Sequence, residues 1–173
     1  MENALTLSGA ANAHVNQFAT GVQYLAFGLG DEHYAADILR VVEIRGWTPV
    51  TTVPNTPDFI KGILNLRGTI VPIIDLRQRF HLEPKAYTAT TVVIVVSVNT
   101  ANGQKVVGMV VDAVNRVLDV ATEAIKAAPD FGTAIHTEFI EGLATDDEDQ
   151  MVMILNLDRM FTEHEVKDLD AVQ

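Results

Sequence analysis

The sequence contains no cysteine. This absence excludes disulfide bonds, thiolate nucleophiles and cysteine-ligated zinc, and it is typical of a protein from a reducing compartment. Long apolar runs are missing too. No strictly apolar run exceeds five residues, the length of the run at residues 92–96, whereas a membrane-spanning helix needs about 20. The N-terminus has no basic segment followed by an apolar core, so no signal peptide is expected. Together these absences predict a cytoplasmic protein that does not insert directly into a membrane.

Residue patterns that support catalysis are also scarce. Serine occurs only as Ser8 and Ser97, outside any Gly-x-Ser-x-Gly segment, which argues against a serine hydrolase. The segment Gly28-Leu29-Gly30 is followed by Asp31 and not by a helix that could cradle phosphate. The five histidines show no ligand-like spacing. We therefore expect no catalytic residue, no metal site, no cofactor and no enzymatic activity.

Charge is distributed unevenly along the 173 residues. Residues 1–111 hold 8 acidic and 8 basic side chains, whereas residues 112–173 hold 15 acidic and 4 basic ones, which accounts for the net charge of −11. Such a charge repels phosphate backbones and argues against a nucleic-acid partner. The acidic excess indicates a solvated face, with steering toward a basic partner as the alternative. We interpret the run Asp146-Asp147-Glu148-Asp149 as a loop tip between strands.

The chain repeats itself imperfectly, with landmarks that recur in the same order at offsets of 70 to 81 residues. A conserved order of several landmarks favours a duplication over chance. The matched features are residues 22–27 with 92–97, Asp37 with Asp112, Pro54 with Pro129, residues 59–63 with 139–143, residues 73–76 with 154–157, and Phe80 with Phe161. The matching of Asp37 with Asp112 predicts one shared structural role, such as a turn or bulge hydrogen bond.

Each repeat has the same predicted plan, and Val, Ile and Thr dominate its periodic runs, which favours strands. Many short strands separated by turns indicate an all-β barrel or sandwich. The predicted elements are a strand at 22–29 or 91–98, a longer strand with a bend or bulge at 33–44 or 105–120, a single helical turn at 56–59 or 136–139, two further strands, and a segment capped by Asp75 or Asn156. Thr56 is expected to cap its helical turn.

The ends of the chain are predicted separately. Residues 1–20 carry no period and are expected to form a flexible tail. A C-terminal helix is expected after Asn156, because Leu157, Met160 and Phe161, followed by His164 and Glu165, have helical spacing. Residues 81–90 link the two repeats, and residues 166–173 form a C-terminal tail.

Residues 62–77 predict a β-hairpin with Arg67-Gly68 at its turn, because glycine tolerates the backbone angles of a tight reversal. Pro72 has no amide donor and is expected on an edge strand or at a bulge. Asp75 is a good cap for a short helix. Arg67 at the hairpin tip is either a solvated turn residue paired with a near neighbour or a forked donor for a partner's carboxylate or carbonyl groups.

Glu43 also has two interpretations. If its strand is regular, Glu43 lies on the same face as Val41. A charge beside an exposed valine is ordinary on an edge strand. It is also the pattern of a polar rim beside an apolar docking groove.

The stretch Phe59-Ile60-Lys61-Gly62-Ile63-Leu64-Asn65-Leu66-Arg67-Gly68, continued at residues 70–77, closely resembles the CheW family of bacterial chemotaxis coupling proteins. Further similar stretches are residues 107–114, 117–118, 125–131, 137–143 and 153–157. The resemblance runs from about residue 22 to about residue 162. Asn65-Leu66-Arg67-Gly68, with the following Pro72 and Asp75, is its most specific part.

This resemblance implies a single domain at 21–165, built from two SH3-like five-stranded β-barrel subdomains at about 21–85 and 86–160, with exchange of strands between them left open. It implies a non-catalytic adaptor that joins the cytoplasmic tips of methyl-accepting chemoreceptors to the regulatory domain of the histidine kinase CheA. The adaptor would be recruited to the receptor array at the inner face of the membrane. Because that kinase domain is itself similar to the family, kinase and adaptor would alternate in rings, and weak self-association in rings stays open.

The resemblance also implies particular contact residues. Val41, Glu43, Gly62 and Arg67 match the receptor-facing positions of the family, and Lys126 and Phe131 match its kinase-facing positions. Relatives often carry arginine where this chain has Lys126, and a lysine lacks the planar fork of arginine. Two alternatives remain: coupling in a related non-flagellar receptor–kinase pathway, and a small ligand-binding or enzymatic barrel that uses Asp112 or a histidine.

Overall fold

The computed structural model of the chain describes residues 21–128 and 137–161. Within these ranges the chain is dominated by strands, with two one-turn helices, α1 (Leu76–Arg79) and α2 (Leu157–Met160), and short 3₁₀ turns at Ile38–Arg40, Thr122–Ala124 and Thr137–Phe139. The strands are β1 (Gly21–Leu29), β2 (Glu32–Asp37), β3 (Val41–Gly46), β4 (Ile60–Leu66), β5 (Thr69–Asp75), β6 (Val92–Thr100), β7 (Gly103–Val111), β8 (Ala113–Ala121), β9 (Ile140–Thr145) and β10 (Met151–Leu155). The expected tails at 1–20 and 166–173 lie outside the described residues, as does any continuation of α2 beyond Phe161.

The strands form two curled five-stranded sheets. Sheet A has the order β8-β1-β2-β10-β9, and sheet B has the order β3-β6-β7-β5-β4. If β1 to β5 are exchanged one for one with β6 to β10, the strand order of sheet A becomes that of sheet B. The parallel pairs β2–β10 and β7–β5 correspond under this exchange as well. Each half of the chain therefore supplies a hairpin to one sheet and three strands to the other. The predicted fold class, an all-β protein with two five-stranded barrel subdomains, is confirmed.

The chain changes sheet at the two bends expected within the long strands. In the predicted strand at 33–44, β2 ends at Asp37, whose carboxylate accepts a hydrogen bond from the Leu39 amide at 2.9 Å and caps a 3₁₀ turn. The chain then continues as β3 in sheet B. In the predicted strand at 105–120, the break falls at Asp112, where the chain leaves sheet B and enters sheet A as β8.

The core consists of three apolar clusters, of which one joins the two sheets. The largest lies between the sheets and combines Phe27 of sheet A with Ile94 and Met109 of sheet B, all of which are fully buried. The other two clusters fill the single barrels, around Tyr24 in sheet A and Val95 in sheet B. Burial of one large apolar side chain stabilises a fold by about 1.5–3 kcal/mol. Because the largest cluster draws on both sheets, neither barrel has a complete core of its own.

Two local predictions are wrong. The segment 56–59 forms a hydrogen-bonded turn, in which the Ile60 amide donates to the Pro57 carbonyl oxygen at 3.0 Å, but no helix. Thr56 does not cap it, since its hydroxyl donates to the Val53 carbonyl oxygen at 3.0 Å. Pro72 does not lie on an edge strand, since β5 is paired on both sides. The ladder between β5 and β7 covers only Ile73 to Asp75, so the missing amide of Pro72 removes no hydrogen bond on that side.

A short backbone bridge closes each barrel. It joins one edge strand of the sheet to the segment that follows the other edge strand. In sheet B, Thr51 and Ile63 exchange hydrogen bonds of 3.1 and 2.8 Å, and in sheet A, Lys126 and Leu143 exchange bonds of 2.8 and 2.7 Å. The bridge in sheet B requires a glycine at position 62. The φ angle of Gly62 is 152°, and a Cβ atom there would lie 2.1 Å from the Thr51 carbonyl oxygen.

We expect Gly62→Ala to lower the free energy of unfolding by about 3 kcal/mol, because the added methyl group collides with backbone and the φ angle is strained for any other residue. Urea denaturation followed by circular dichroism measures this change. Gly46→Ala is the matched control, since no atom lies within 4 Å of its added Cβ position, and it should change stability by about 0.5 kcal/mol or less. Equal stability of the two variants would contradict the closure role of Gly62.

Candidate docking site

The β4–β5 hairpin carries Arg67 at its tip, as predicted. Leu66 pairs with Thr69, so Arg67 (φ 51°) and Gly68 (φ 89°) alone form the loop. Two consecutive positive φ angles are the pattern of a type I′ turn, which matches the twist of the flanking strands. The Asn65 side-chain oxygen accepts a hydrogen bond from the Gly68 amide at 2.8 Å. The turn is therefore well supported, and the Arg67 side chain that it presents is 81% exposed.

Arg67 forms an ion pair with Glu43, with 3.5 Å between Nη2 and Oε2. Glu43 lies on β3 and Arg67 follows β4, and these strands are the two edges of sheet B. The ion pair therefore spans the seam of the curled sheet. An exposed pair of this kind contributes about 0–1 kcal/mol to stability. Its main effect is to orient two charged groups beside each other at the surface.

The expectation that Glu43 and Val41 share a face is wrong. Val41 pairs with Val96 and Glu43 pairs with the adjacent Val95, so Val42 is the additional residue of a β-bulge. Val95 and Val96 are neighbours on β6, so their side chains point to opposite faces of the sheet. The residues that pair with them, Glu43 and Val41, therefore also point to opposite faces. Val41 packs against the core between the sheets, whereas Glu43 lies on the other face and reaches the hairpin tip.

A strip of exposed apolar side chains accompanies the bulge and was missed in the sequence. Large apolar side chains are seldom exposed in adjacent positions without a partner. The sequence analysis assigned the apolar receptor contact to Val41, but Val41 is half-buried in the structure. The bulge that turns its neighbours outward depends on pairing with β6 and has no local signal. The strip, called here the β3 strip, consists of Leu39 (86% exposed), Val42 (57%) and Ile44 (44%).

Sheet A carries a corresponding ion pair with the charges reversed. Arg116 on the edge strand β8 lies 3.2 Å from Asp146 in the β9–β10 turn. The Asp146 carboxylate also accepts hydrogen bonds from the backbone amides of Gln150 and Glu148, at 2.9 and 2.8 Å. These backbone donors, together with Arg116, lower the pKa of Asp146. The acidic run at 146–149 therefore lies at a turn between strands, as predicted.

Of the two expected kinase-facing residues, Lys126 lies within the described part of the chain. Lys126 is exposed, and its backbone forms the bridge with Leu143 that closes the barrel of sheet A. Phe131 lies outside the described residues. Lys126 is thus on sheet A, whereas Glu43, Gly62 and Arg67 are all on sheet B or its hairpin turn.

A forked ion pair, called here the first crossover clamp, ties the sheets together at one of the two crossings. Arg77 in α1 donates from Nε and Nη2 to the two oxygens of Asp112, at 2.8 and 2.5 Å. The Gly30 amide, in the β1–β2 turn, donates to the same carboxylate at 2.7 Å. The bonds from Arg77 and Gly30 lower the pKa of Asp112 against the opposing effect of burial. Asp37 and Asp112 both lie at a sheet crossing and accept a backbone amide hydrogen bond there, from Leu39 and Gly30 respectively, but only Asp112 is part of a clamp.

The second crossover clamp has the opposite polarity. Arg40, at the crossing from β2 to β3, donates from Nη1 and Nη2 to the two oxygens of Asp158 in α2, at 3.0 and 2.8 Å. The Asn99 amide of β6 adds a bond of 2.8 Å to the same carboxylate. Burial raises the pKa of Asp158, but the bonds from Arg40 and Asn99 outweigh this effect and lower it. Because Arg40 immediately precedes Val41, this clamp holds the start of β3 against sheet A.

The chemistry that these side chains offer is binding. Among residues 21–128 and 137–161, no group of three or more His, Cys, Asp or Glu residues is arranged to hold a metal ion. Three carboxylates have structural roles, since Asp37 caps a turn, Asp75 caps α1 and Asp112 belongs to a clamp. In the same described ranges, no helix has the length and apolar character needed to cross a bilayer.

The first clamp predicts an acid-sensitive contribution to stability. The pKa of Asp112 is lower in the folded chain than in the unfolded one, so its contribution is present above the unfolded pKa of about 4 and is lost as the pH falls through the folded value. We expect Asp112→Asn to reduce the unfolding free energy by about 2 kcal/mol at neutral pH. Urea titrations at a series of pH values measure this change. Below about pH 4, the difference in unfolding free energy between the variant and the wild type should become smaller.

The matched control is Asp119→Asn. Asp119 lies exposed on β8, and its side chain makes no hydrogen bond or ion pair in the part of the chain that the structure describes. The unfolding free energy of Asp119→Asn should show the same pH dependence as that of the wild type. The same pH dependence for Asp112→Asn as well would show that the clamp does not stabilise the fold.

Comparison with known proteins agrees with this architecture. The family model described as the CheW-like domain matches residues 23–165. The chain is 45% identical over 152 residues to the chemotaxis protein CheW of Klebsiella aerogenes, covering 88% of this chain and 89% of that protein. It is 38% identical over 143 residues to a probable chemotaxis protein CheW of Rhizobium etli, covering 83% and 89%. The crystal structure of the scaffolding protein TtCheW from Thermoanaerobacter tengcongensis superimposes with a TM-score of 0.73 at 34% identity, covering 84% of this chain and 90% of that one. The chain therefore belongs to the CheW-like domain family.

Proposed function

We propose that this chain is a non-catalytic scaffold of bacterial chemotaxis that couples the cytoplasmic tips of transmembrane chemoreceptors to the regulatory domain of the histidine kinase CheA. The observation that carries the proposal is the presence of exposed docking residues on both sheets, which two crossover clamps hold in one body. Membership of the CheW-like domain family, whose relatives are named chemotaxis proteins, supports it. The protein works in the cytoplasm and is recruited to the receptor array at the inner face of the membrane.

The receptor site consists of Val41, Glu43, Gly62 and Arg67, each with a different role. Glu43 and Arg67 provide an oriented pair of charges across the seam of sheet B. Gly62 permits the close approach of Thr51 that closes the barrel beneath that pair. Val41 anchors the start of β3 in the core between the sheets. Only Glu43 and Arg67 therefore make direct polar contacts, and the other two hold their strands in place.

The β3 strip supplies the apolar part of the receptor site. Leu39, Val42 and Ile44 are exposed on, or just before, the edge strand that also carries Glu43. An amphipathic helix can dock its apolar face on such a strip and present polar side chains to the charges at the rim. The helical tip of a chemoreceptor hairpin has this chemistry.

The kinase site uses Lys126 and Phe131. Lys126 is exposed beside the closing bridge of sheet A, on a different sheet from the receptor site. A scaffold with one partner on each sheet can transmit a receptor shift as a coupling free energy between the two sites, without turnover. The clamps make this coupling effective, because they resist rotation of one sheet against the other.

We expect Arg67→Glu to weaken the binding of a receptor cytoplasmic fragment about tenfold or more, because it places a second carboxylate beside Glu43 and removes the forked donor. Calorimetric titration measures the affinity, and the circular-dichroism melt should change little because the pair is exposed. Arg116→Glu is the matched control, since it removes the corresponding ion pair of sheet A and should leave receptor affinity unchanged. Unchanged affinity in Arg67→Glu would show that Arg67 is not a receptor contact.

Lys126→Asp and Phe131→Ser should each reduce kinase activation in reconstituted arrays by about tenfold, with less than a twofold change in receptor-fragment affinity. The physical reason is that both residues belong to the kinase site and neither belongs to the β3 strip. Kinase activity and receptor binding are measured on the same protein preparations. Loss of both activities to the same extent would indicate misfolding and would contradict a separate kinase site.

A further inference from the structure

A cavity of about 410 Å³ lies beneath the linker that joins the two repeats. Its lining includes Trp47 and Val50 from the segment after β3 and Tyr87 from the linker. Asp75 and Gln78, at and after the start of α1, also line it. None of the residues assigned to the receptor or kinase sites lines this cavity. Its volume is within the range of sites that bind small organic molecules.

The apolar wall of the cavity is held in place by its own contacts. The rings of Trp47 and Tyr87 pack at a centroid distance of 4.4 Å with an angle of 58° between their planes. The Tyr87 hydroxyl donates to Asp75 Oδ2 at 2.6 Å, and the Trp47 amide donates to the Thr91 carbonyl oxygen at 3.1 Å. The aromatic ring of a ligand can therefore pack against a surface that is already formed in the free protein.

One polar atom at the cavity has no partner. The side-chain oxygen Oε1 of Gln78 is buried and accepts no hydrogen bond from the described residues. An unpaired buried acceptor of this kind is unfavourable, and rotation of the Gln78 side chain toward the cavity would allow a ligand O–H or N–H group to satisfy it. Asp75 differs from Gln78 in this respect, because each of its carboxylate oxygens already accepts a bond, one from the Tyr87 hydroxyl and one from the Gln78 amide.

The charge at the cavity favours an anion. Lys61 is the additional residue of the bulge between Ile60 and Gly62, and Lys85 lies on the linker; both line the cavity. Neither lysine forms a hydrogen bond or a close ion pair in the part of the chain that the structure describes, although the charge of Lys85 acts on Asp112 at longer range. Two ammonium groups thus stand against the single carboxylate of Asp75.

We propose that this cavity binds a small aryl carboxylate that carries a hydroxyl or N–H group. The aromatic ring packs against Trp47 and Tyr87, the carboxylate lies between Lys61 and Lys85, and the donor group satisfies Gln78 Oε1. This inference is independent of the scaffold function, because the cavity shares no residue with either docking site.

The test uses 4-hydroxyphenylacetate as the probe. Trp47 is the only tryptophan of the chain, so its fluorescence reports directly on the cavity of the full-length protein. We expect a saturable change in Trp47 fluorescence and a matching calorimetric isotherm. Tyramine, which reverses the charge, and 4-methoxyphenylacetate, which lacks the donor, should each bind about tenfold more weakly. The absence of a saturable change with 4-hydroxyphenylacetate overturns the proposal.

Variants separate this site from binding elsewhere on the surface. Lys61→Met and Lys85→Met should each weaken the probe about tenfold, and Gln78→Leu should abolish the preference for the hydroxyl over the methoxy compound. Lys105→Met, which removes the same charge from β7 outside the cavity lining, is the control and should bind the probe as the wild type does. Near-ultraviolet circular dichroism verifies that each variant is folded. Equal affinities of the wild type and both cavity lysine variants overturn the proposal.

Discussion

The reciprocal exchange of hairpins between the two repeats is the constraint on which the rest of the structure depends. Neither sheet can be completed from one half of the chain, because each takes two strands from one repeat and three from the other. The chain must therefore cross between the sheets twice, at Arg40 and at Asp112, and a crossover clamp forms at each crossing. The exchange also places the largest apolar cluster between the sheets. A scaffold that transmits a shift between partners needs this kind of mechanical continuity.

The two repeats keep the same backbone plan while their charges differ. Sheet B has a carboxylate on its edge strand and a guanidinium at its turn, whereas sheet A has the reverse arrangement. The clamps are reversed in the same way. An ion pair of either polarity supports the same local geometry, so the duplicated fold tolerates the exchange. The surfaces that result are electrostatically different, which is what a protein needs to hold two unlike partners with two similar modules.

Local features of the sequence were reliable where a few neighbouring residues decide the structure. Arg67-Gly68 forms the two-residue turn because only its own φ angles and the adjacent strands are involved. Asp75 caps α1 by a bond to an amide three residues away. Apart from the Thr56 cap, which failed within its own turn, the wrong predictions are those where a distant strand decides the outcome. The bulge that separates Val41 from Glu43 depends on pairing with β6, about 50 residues further along the chain, and the interior position of Pro72 depends on where β7 begins to pair.

The sequence by itself determined the class of the protein: an all-β, cysteine-free chain written in two copies, with a hairpin that presents Arg67. Strand propensity, turn chemistry and capping act over a few residues and can be read in order along the chain. The tertiary structure alone decided which strands share a sheet, which side chains meet, and where a cavity remains. Glu43 reaches Arg67, and Arg40 reaches Asp158, only because a curled sheet and an exchanged hairpin bring remote positions together. Such contacts depend on the packing of the whole core, and no short segment carries the energy that selects them.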